Sequence, residues 1–145
     1  MVKPYADTSV LFSLFVTDAH PPKADDWRQA TQVALDFTGF HRIELRNALG
    51  LAVFQQRLTP VESLAAWQEV EQDLAAGLLV PTPNLWSKLF REAEALAEHH
   101  TPKIGCRSLD VLHVAAALVL GATDFCTFDT RQAKLAQLAG MQVHP

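Results

Sequence analysis

Short apolar runs alternate with longer segments of helical periodicity along this chain. The runs predict five short strands, at residues 2–6, 32–36, 78–80, 125–128 and 141–143. The periodic segments predict seven helices, at about residues 9–16, 24–31, 41–57, 60–76, 83–99, 108–120 and 130–139. Such alternation indicates an α/β fold with a mainly parallel sheet. The long helices between residues 40 and 99 are expected to form a second lobe or helical hairpin on that sheet.

Capping residues and glycines set the ends of the predicted helices. The strongest start is a capping box, in which Thr59 is the N-cap, Pro60 opens the helix and Glu62 follows three residues after the cap. Thr82 and Ser108 are expected to cap the two helices that follow them. Glycines at positions 77, 121 and 140 are expected to end helices, and residues 17–23 and 101–107 are expected to be loops.

The length and composition indicate one domain with a substantial core. The chain has 145 residues, of which 49% are hydrophobic. Its longest apolar segment, residues 111–120, is interrupted by His113 and is shorter than the roughly 20 residues of a membrane-spanning helix. The N-terminus lacks the basic-then-apolar order of a signal peptide. We therefore expect a cytoplasmic protein, and Cys106 and Cys126 suit a reducing compartment.

The charge balance argues against a protein that binds nucleic acid over its whole surface. The formal net charge is −4, from 16 acidic and 12 basic residues. A broadly basic surface, which nonspecific nucleic-acid binding requires, is therefore not expected. A local site is still compatible with this balance, because a bound metal ion reverses the sign of the field around it.

Four carboxylates stand at the edges of apolar elements. Asp7 and Asp129 directly follow predicted strands, Asp110 opens the apolar helix, and Glu44 lies near the start of another helix. Sites in open α/β sheets form outside the carboxyl ends of the strands, so Asp7 and Asp129 are expected in one site. Carboxylates gathered there repel one another unless a cation joins them. The pattern therefore points to a hard divalent metal with oxygen ligands.

Each of these acids also has a purely structural explanation. Asp7 and Asp129 precede helices and can act as N-caps. Asp110 lies in the first turn of its helix, where a negative charge interacts favourably with the helix dipole. Glu44 lies at the border of an apolar stripe and can be a solvated residue. His113, one turn beyond Asp110, is expected to be a hydrogen-bonded core or rim histidine rather than a metal ligand.

Four segments closely resemble the motifs of the PIN-domain nucleases. The specific ones are residues 107–117 (Arg-Ser-Leu-Asp-Val-Leu-His-Val-Ala-Ala-Ala) and 127–136 (Thr-Phe-Asp-Thr-Arg-Gln-Ala-Lys-Leu-Ala). Residues 5–11 and 42–49 resemble the opening strand and the acidic helix of the family. The resemblance implies a single PIN-like domain over residues 1–145, in three layers with helices on both faces of a central sheet. The compact size most resembles the VapC-type toxins of prokaryotic toxin–antitoxin pairs.

The resemblance assigns a role to each of the four acids. It implies that Asp7 binds Mg²⁺ or Mn²⁺, that Asp110 is its main partner, and that Glu44 and Asp129 complete an acidic pocket. The implied chemistry is metal-dependent hydrolysis of RNA phosphodiesters, which leaves 5′-phosphate and 3′-hydroxyl ends. Five further residues lie beside these motifs and are expected to help hold water, ligands or substrate: Thr8, Arg46, Arg107, Thr127 and Arg131.

Several functions compete at this point. The leading one is an endoribonuclease toxin of a type II toxin–antitoxin system, with RNA as substrate, a cognate antitoxin as inhibitor, a homodimer as the expected assembly and no membrane association. A PIN nuclease for housekeeping RNA processing is the second, and a non-catalytic interaction module with purely structural acids is the third. A phosphatase of the haloacid-dehalogenase type is disfavoured, because its Asp-x-Asp motif requires an aspartate where Ser9 stands.

Overall fold

The computed structural model describes residues 1–16 and 22–145. These form two compact units, one made of Met1–Asp7 and Pro83–Pro145 and the other of Thr8–Thr82. Of the loop expected at residues 17–23, positions 17–21 lie outside the described residues, and Pro22 already begins a helix. The expectation of one domain over residues 1–145 stays a prediction.

Strands and helices alternate as the sequence pattern predicts. In chain order the described elements are β1 (Pro4–Ala6), α1 (Thr8–Phe15), α2 (Pro22–Thr31), β2 (Leu35–Phe37), α3 (Gly39–Phe54), α4 (Pro60–Ala75), β3 (Leu79–Pro81), α5 (Trp86–Ile104), α6 (Ser108–Val119), β4 (Asp124–Cys126), α7 (Thr130–Leu138) and β5 (Gln142–His144). The predicted α/β class with parallel strands is confirmed. Among the described helices, none combines the length and the apolar character that crossing a membrane requires.

The first unit is built on a three-stranded parallel sheet in the order β1-β4-β5. Every residue of β4, the central strand, is buried, and so is every residue of β1 at the edge of the sheet. Tyr5 of β1 stacks on Phe125 of β4 with ring centroids 5.5 Å apart. Tyr5 and Phe125 are register partners, so β1 and β4 end side by side at Ala6 and Cys126. The residues that follow these ends are therefore brought together.

Helix α6 is the most deeply buried helix of this unit. Val111, Val114 and Ala115 are among its buried residues, and it packs against α5 and α7. Ser108 does not cap it, contrary to expectation. Arg107 occupies the N-cap position without a side-chain capping bond, and Ser108 is the first helical residue.

The predicted bounds of α5 are wrong at both ends. Thr82 is not its cap, because the Thr82 N–H donates to the Phe37 carbonyl and the Thr82 hydroxyl donates to Asp36. The helix therefore begins only at Trp86. At the other end it continues through Pro102 to Ile104 and closes at Gly105, whose φ of 75° is left-handed. Residues 101–104, expected to be a loop, are helical.

The second unit contains α1 to α4 and a two-stranded parallel sheet of β2 and β3. The capping box predicted for α4 is confirmed, since the Glu62 N–H donates to Thr59 Oγ1 and the Thr59 N–H donates to Glu62 Oε1. Helix α3 starts two residues earlier than predicted, because Thr38 and buried His41 form a second capping box.

Two features of the expected arrangement differ from the observed one. The five strands pair as a three-stranded and a two-stranded parallel sheet instead of one sheet. The predicted lobe between residues 40 and 99 is also divided, because α3 and α4 belong to the second unit and α5 belongs to the first.

Candidate functional site

Asp7 lies at the carboxyl end of β1, where the register of the sheet places it beside β4. Its N–H donates to the Cys126 carbonyl at 3.0 Å, which extends the ladder by one residue. The Asp7 side chain is only 5% exposed, and the Thr127 hydroxyl donates to Asp7 Oδ2 at 2.7 Å. A buried carboxylate needs such donors, because removal from water is costly. The juxtaposition of two strand ends, expected from the sequence, is therefore present here.

Thr127 is the central residue of this region. Its hydroxyl lies 2.7 Å from Asp7 Oδ2 and 2.8 Å from Gln132 Oε1, and it accepts the Asp129 N–H at 3.0 Å. Its backbone N–H donates to the His144 carbonyl at 2.9 Å, which fixes it against β5. We call Asp7, Asp110, Thr127, Asp129 and Gln132 the Thr127 cluster. All five belong to the first unit.

Asp129 is the N-cap of α7, so the structural explanation of this acid is confirmed. Its Oδ1 accepts the N–H groups of Arg131 and Gln132, each at 2.9 Å. Both capping bonds end on Oδ1, so Oδ2 takes no part in the cap. The cap therefore does not require Oδ2, and Asp129 joins the cluster through its backbone N–H.

Asp110 lies in the first turn of α6 and is half-buried. Exposed Arg107 donates from Nε to Asp110 Oδ2 at 3.4 Å, an ion pair between residues three apart. Because the Arg107 side chain is 75% exposed, solvent screens this pair and its contribution to stability is small. The Asp110 carbonyl accepts the Gln132 Nε2–H at 3.3 Å, which connects α6 to α7.

Gln132 was not singled out as a site residue from the sequence. It is buried on the apolar face of α7 together with Leu135 and Ala136, and its two side-chain contacts lead to Thr127 and Asp110. A signal was present in the sequence, because glutamine stands there at the helical spacing of core residues. Its contacts with Thr127 and Asp110 come from different elements and cannot be read from helical periodicity.

Glu44 is a half-buried residue of α3 in the second unit. The Thr8 hydroxyl donates to Glu44 Oε1 at 2.9 Å, and Thr8 directly follows Asp7 in the chain. This contact shows that Glu44 is more than the solvated residue that its place at the border of the apolar stripe allowed. Arg42, two residues before it in α3, forms an ion pair with Glu71, at 3.2 Å.

The negative charges of the first unit act on both cysteines. Burial raises the pKa of the Cys106 thiol, and the charges of Asp110 and Asp129 raise it further, against the opposing effect of Arg131. Burial, followed by the charge of Asp7, likewise raises the pKa of Cys126. Both thiols are therefore protonated at neutral pH in the absence of a metal, and sulfur is a soft ligand that suits Mg²⁺ poorly. The carboxylates are the stronger candidates.

Within residues 1–16 and 22–145, no three His, Cys, Asp or Glu side chains come close enough together to hold a metal ion by themselves. The donor chemistry of the Thr127 cluster nevertheless fits Mg²⁺ or Mn²⁺, because it offers carboxylate oxygens and no nitrogen ligand. Mg²⁺ usually takes one or two carboxylates and keeps several waters. His113 is buried and its Nδ1 lies 2.7 Å from the Tyr5 hydroxyl, as expected of a core histidine.

The candidate substrate-binding arginines have different surroundings. Arg107 pairs with Asp110, and Arg131 donates from Nη1 to the Gly105 carbonyl at 3.3 Å. The Arg46 guanidinium lies over the Trp67 ring, 3.9 Å from its centroid, in a cation–π contact. Each of the three arginines thus has a contact within the protein that helps to explain its position. Arg107 and Arg131 are nevertheless exposed beside the Thr127 cluster.

Comparison with known proteins identifies the fold and the family. The chain is similar to the crystal structure of FitAcB from Neisseria gonorrhoeae, with a TM-score of 0.67 and 18% identity, over 99% of this chain and 97% of that one. It is also similar to PAE2754 from Pyrobaculum aerophilum, with a TM-score of 0.58 and 19% identity, over 98% of this chain and 89% of that one. No curated protein sequence matches the chain.

The family comparison covers both units of the chain. The PIN domain profile matches residues 5–138, which include all four predicted acids. PIN domains are typically nucleases. The resemblance seen in the four sequence segments is therefore confirmed at the level of the family. This chain belongs to the PIN domain family.

Proposed function

We propose that this protein is a metal-dependent endoribonuclease that hydrolyses RNA phosphodiesters with Mg²⁺ or Mn²⁺. We further propose that it acts as the toxin of a type II toxin–antitoxin system. The observation that carries the nuclease proposal is the Thr127 cluster, in which acids from a strand end and two helix starts are connected by one hydroxyl and one amide. Membership of a family of nucleases supports the same chemistry.

In this proposal Asp7 and Asp110 bind the metal ion directly. Asp7 is the better shielded from water, and a ligand in such an environment interacts strongly with a cation. Asp129 contributes Oδ2 directly or through water. Glu44 is kept as a fourth acid because its partner Thr8 is the residue after Asp7 in the chain. The metal would supply an activated water and a polarised phosphodiester.

The remaining residues of the Thr127 cluster orient the acids. The Thr127 hydroxyl fixes Asp7 Oδ2, and the capping bonds to Oδ1 hold the Asp129 carboxylate at the start of α7. No side chain has to act as a nucleophile. The chain's contribution is to hold oxygen ligands at fixed positions in a partly dry site.

Exposed bases beside the cluster are proposed to grip the RNA backbone. Arg107 neutralises Asp110 only through one long, solvent-screened contact, so this arginine can exchange the carboxylate for a phosphate. Arg131 is exposed at the start of α7 and is proposed to act similarly, and a substrate contact stays a proposal for Arg46. Thr8 and Thr127 are buried, so their proposed role is to hold the acids and water rather than to grip the RNA backbone.

The toxin assignment rests on the resemblance of this compact chain to VapC-type toxins. It implies a cognate antitoxin as inhibitor, a homodimer as assembly and the cytoplasm as location, and these stay proposals. Growth arrest on expression of the protein alone, relieved by a partner encoded beside it, would support the toxin role. RNA cleavage without growth arrest would favour housekeeping RNA processing.

The nuclease proposal is tested by substituting Asp7, the most buried of the four acids. Asp7→Asn keeps the size of the side chain and an acceptor for the Thr127 hydroxyl, but it removes the negative charge. We expect it to abolish Mn²⁺-dependent cleavage of total RNA, mapped by end sequencing. Asp26→Asn, at an exposed position of α2, is the matched control and should cleave like wild type. Identical cleavage by Asp7→Asn and wild type would contradict the proposal.

A further inference from the structure

Gln132 is an unusual residue for the interior of this protein. Its side chain is 1% exposed on a helix face that otherwise buries Leu135 and Ala136. Burial of an amide is unfavourable unless its polar atoms find partners. In a helix that needs only an apolar contact here, leucine or methionine would pack without that cost. The amide therefore requires an explanation beyond packing.

The contacts of Gln132 fix the orientation of its amide. Nε2 donates to the Asp110 carbonyl at 3.3 Å, and Oε1 lies 2.8 Å from Thr127 Oγ1. The opposite orientation would place Oε1 against the Asp110 carbonyl, where two acceptors repel each other. The nitrogen therefore faces α6 and the oxygen faces Thr127.

The backbone of Gln132 adds a third connection. Its N–H donates to Asp129 Oδ1 at 2.9 Å, within the cap of α7. This one residue thus contacts Asp129 directly, the backbone of Asp110 directly, and Asp7 through Thr127. All three acids of the first unit that we propose as metal ligands are connected to it.

The contact with Thr127 also affects Asp7. A hydroxyl has one proton, and Thr127 Oγ1 has two acceptors within reach, Asp7 Oδ2 and Gln132 Oε1. It is held between them while it accepts the Asp129 N–H. The single proton cannot serve both acceptors fully, so Gln132 Oε1 competes with Asp7 Oδ2 for it. Replacement of Gln132 would therefore change how the Thr127 hydroxyl bonds to Asp7.

We infer that Gln132 is a positioning residue for the metal site, which holds Asp7, Asp110 and Asp129 in place without binding the ion itself. This inference rests on the proposed function and deepens it. Partners that orient metal ligands typically change metal affinity by about 10- to 100-fold when they are removed. Gln132 is expected to fall in this range. Its side chain contacts the backbone carbonyl of Asp110 and the hydroxyl of Thr127, which bonds Asp7, and its own N–H contacts Asp129 Oδ1.

The inference is tested by direct Mn²⁺ titration, followed by electron paramagnetic resonance and without RNA. Gln132→Met keeps the length and volume of the side chain and removes both amide contacts. We expect its dissociation constant for Mn²⁺ to rise by about 10- to 100-fold. Gln137→Met makes the same chemical change at an exposed position of α7 and should bind Mn²⁺ like wild type. Wild-type affinity in Gln132→Met, with only a lower melting temperature, would overturn the inference.

Two further measurements separate the possible failures. Gln132→Asn keeps an amide but is one methylene shorter, so it should also bind Mn²⁺ more weakly; it replaces Gln132→Met if that variant does not fold. In a Thr127→Val background, Gln132→Met should weaken binding less than it does in wild type, because part of its effect passes through Thr127. Equal effects in both backgrounds would contradict that route. Absence of Mn²⁺ binding by wild type would instead overturn the proposed function.

Discussion

Helices α4 and α7 begin with the same side-chain spacing but use it differently. In α4, Thr59 and Glu62 bond reciprocally, each side chain accepting the backbone N–H of the other. In α7, Asp129 and Gln132 stand at the same two positions, and the Asp129 side chain accepts the Gln132 N–H as a cap should. The return bond is missing, because the Gln132 side chain contacts Thr127 and Asp110 instead.

The missing bond of α7 is replaced from outside the helix. The Asp129 N–H, which a closed box would satisfy with residue 132, donates to Thr127 Oγ1. The capping box of α7 is therefore incomplete, and its atoms bond to neighbouring elements. We call the complete capping box of α4 the closed box and the incomplete one of α7 the open box. The closed box is exposed and serves only its helix, whereas the open box is partly buried and shares its atoms with the candidate site. The difference suggests that an N-terminal cap acquires a further role when its bonds extend beyond its own helix.

Among the predictions that compare the two boxes, the largest effect is expected on RNA cleavage when Asp129 of the open box loses its negative charge. Asp129→Asn retains capping ability, because asparagine caps helices as well as aspartate does. Its loss of charge should lower RNA cleavage by about 10- to 100-fold, since Asp129 is proposed to contribute Oδ2 directly or through water. Cleavage rates at saturating Mn²⁺, with urea unfolding measured in parallel, check this. Unchanged cleavage would show that Asp129 acts only as the N-cap of α7. The two boxes would then differ in structure but not in function.

A substitution in the closed box of α4 should lower stability and leave RNA cleavage unchanged. Thr59→Ala removes the hydroxyl that accepts the Glu62 N–H and should lower the free energy of unfolding by about 1 kcal/mol. Cleavage should be unaffected, because the box of α4 is exposed and shares no atoms with the Thr127 cluster. Chemical denaturation and a cleavage assay on the same preparation test both halves. A fall in cleavage that exceeds the loss of folded protein would contradict the separation of the two boxes.

The smallest expected effect is a pH dependence of the closed box. Hydrogen bonds from the Thr59 backbone, and secondarily from its side chain, lower the pKa of Glu62 below its ordinary value of 4.5. A carboxyl whose pKa is lowered by folding stabilises the folded state above that ordinary value, and the contribution is lost as pH falls through the lowered pKa. Glu62→Gln should therefore flatten the acid side of the stability profile slightly. Melting curves between about pH 3 and 6 would show an unchanged slope if the bond is too weak to matter.

The sequence predicted those features that depend on neighbours along the chain. The capping box at Thr59 needs only four consecutive residues, and it was found where expected. Asp7 and Asp129 were expected in one site because parallel strands that end together bring their following residues together. In the structure Thr127 lies between them, since its hydroxyl contacts Asp7 Oδ2 and accepts the Asp129 N–H. The family motifs were read correctly for the same reason, since each is a short contiguous stretch.

Other features depend on residues distant in sequence and were missed or misassigned. Thr82 and Pro83 look like a helix start, but the N–H of Thr82 pairs with Phe37, and that contact crosses 45 positions of the chain. Gln132, three residues after Asp129, looks like a partner in an N-terminal cap until Thr127 and Asp110 are seen beside it. The bond between Thr8 and Glu44 spans 36 positions and was likewise invisible to local periodicity.

The pairing of β1 with β4 has a consequence for the timing of activity. Among the described strands, β1 pairs with β4 alone, and the bond between Asp7 and Thr127 joins residues 120 positions apart. A ribosome that has not yet released residue 127 carries a nascent chain in which this bond cannot exist. A growing polypeptide is therefore without the oriented Asp7 until translation of the domain is nearly finished. If the proposed ribonuclease activity is correct, an unfinished chain would lack the oriented Asp7 while it is still attached to the ribosome.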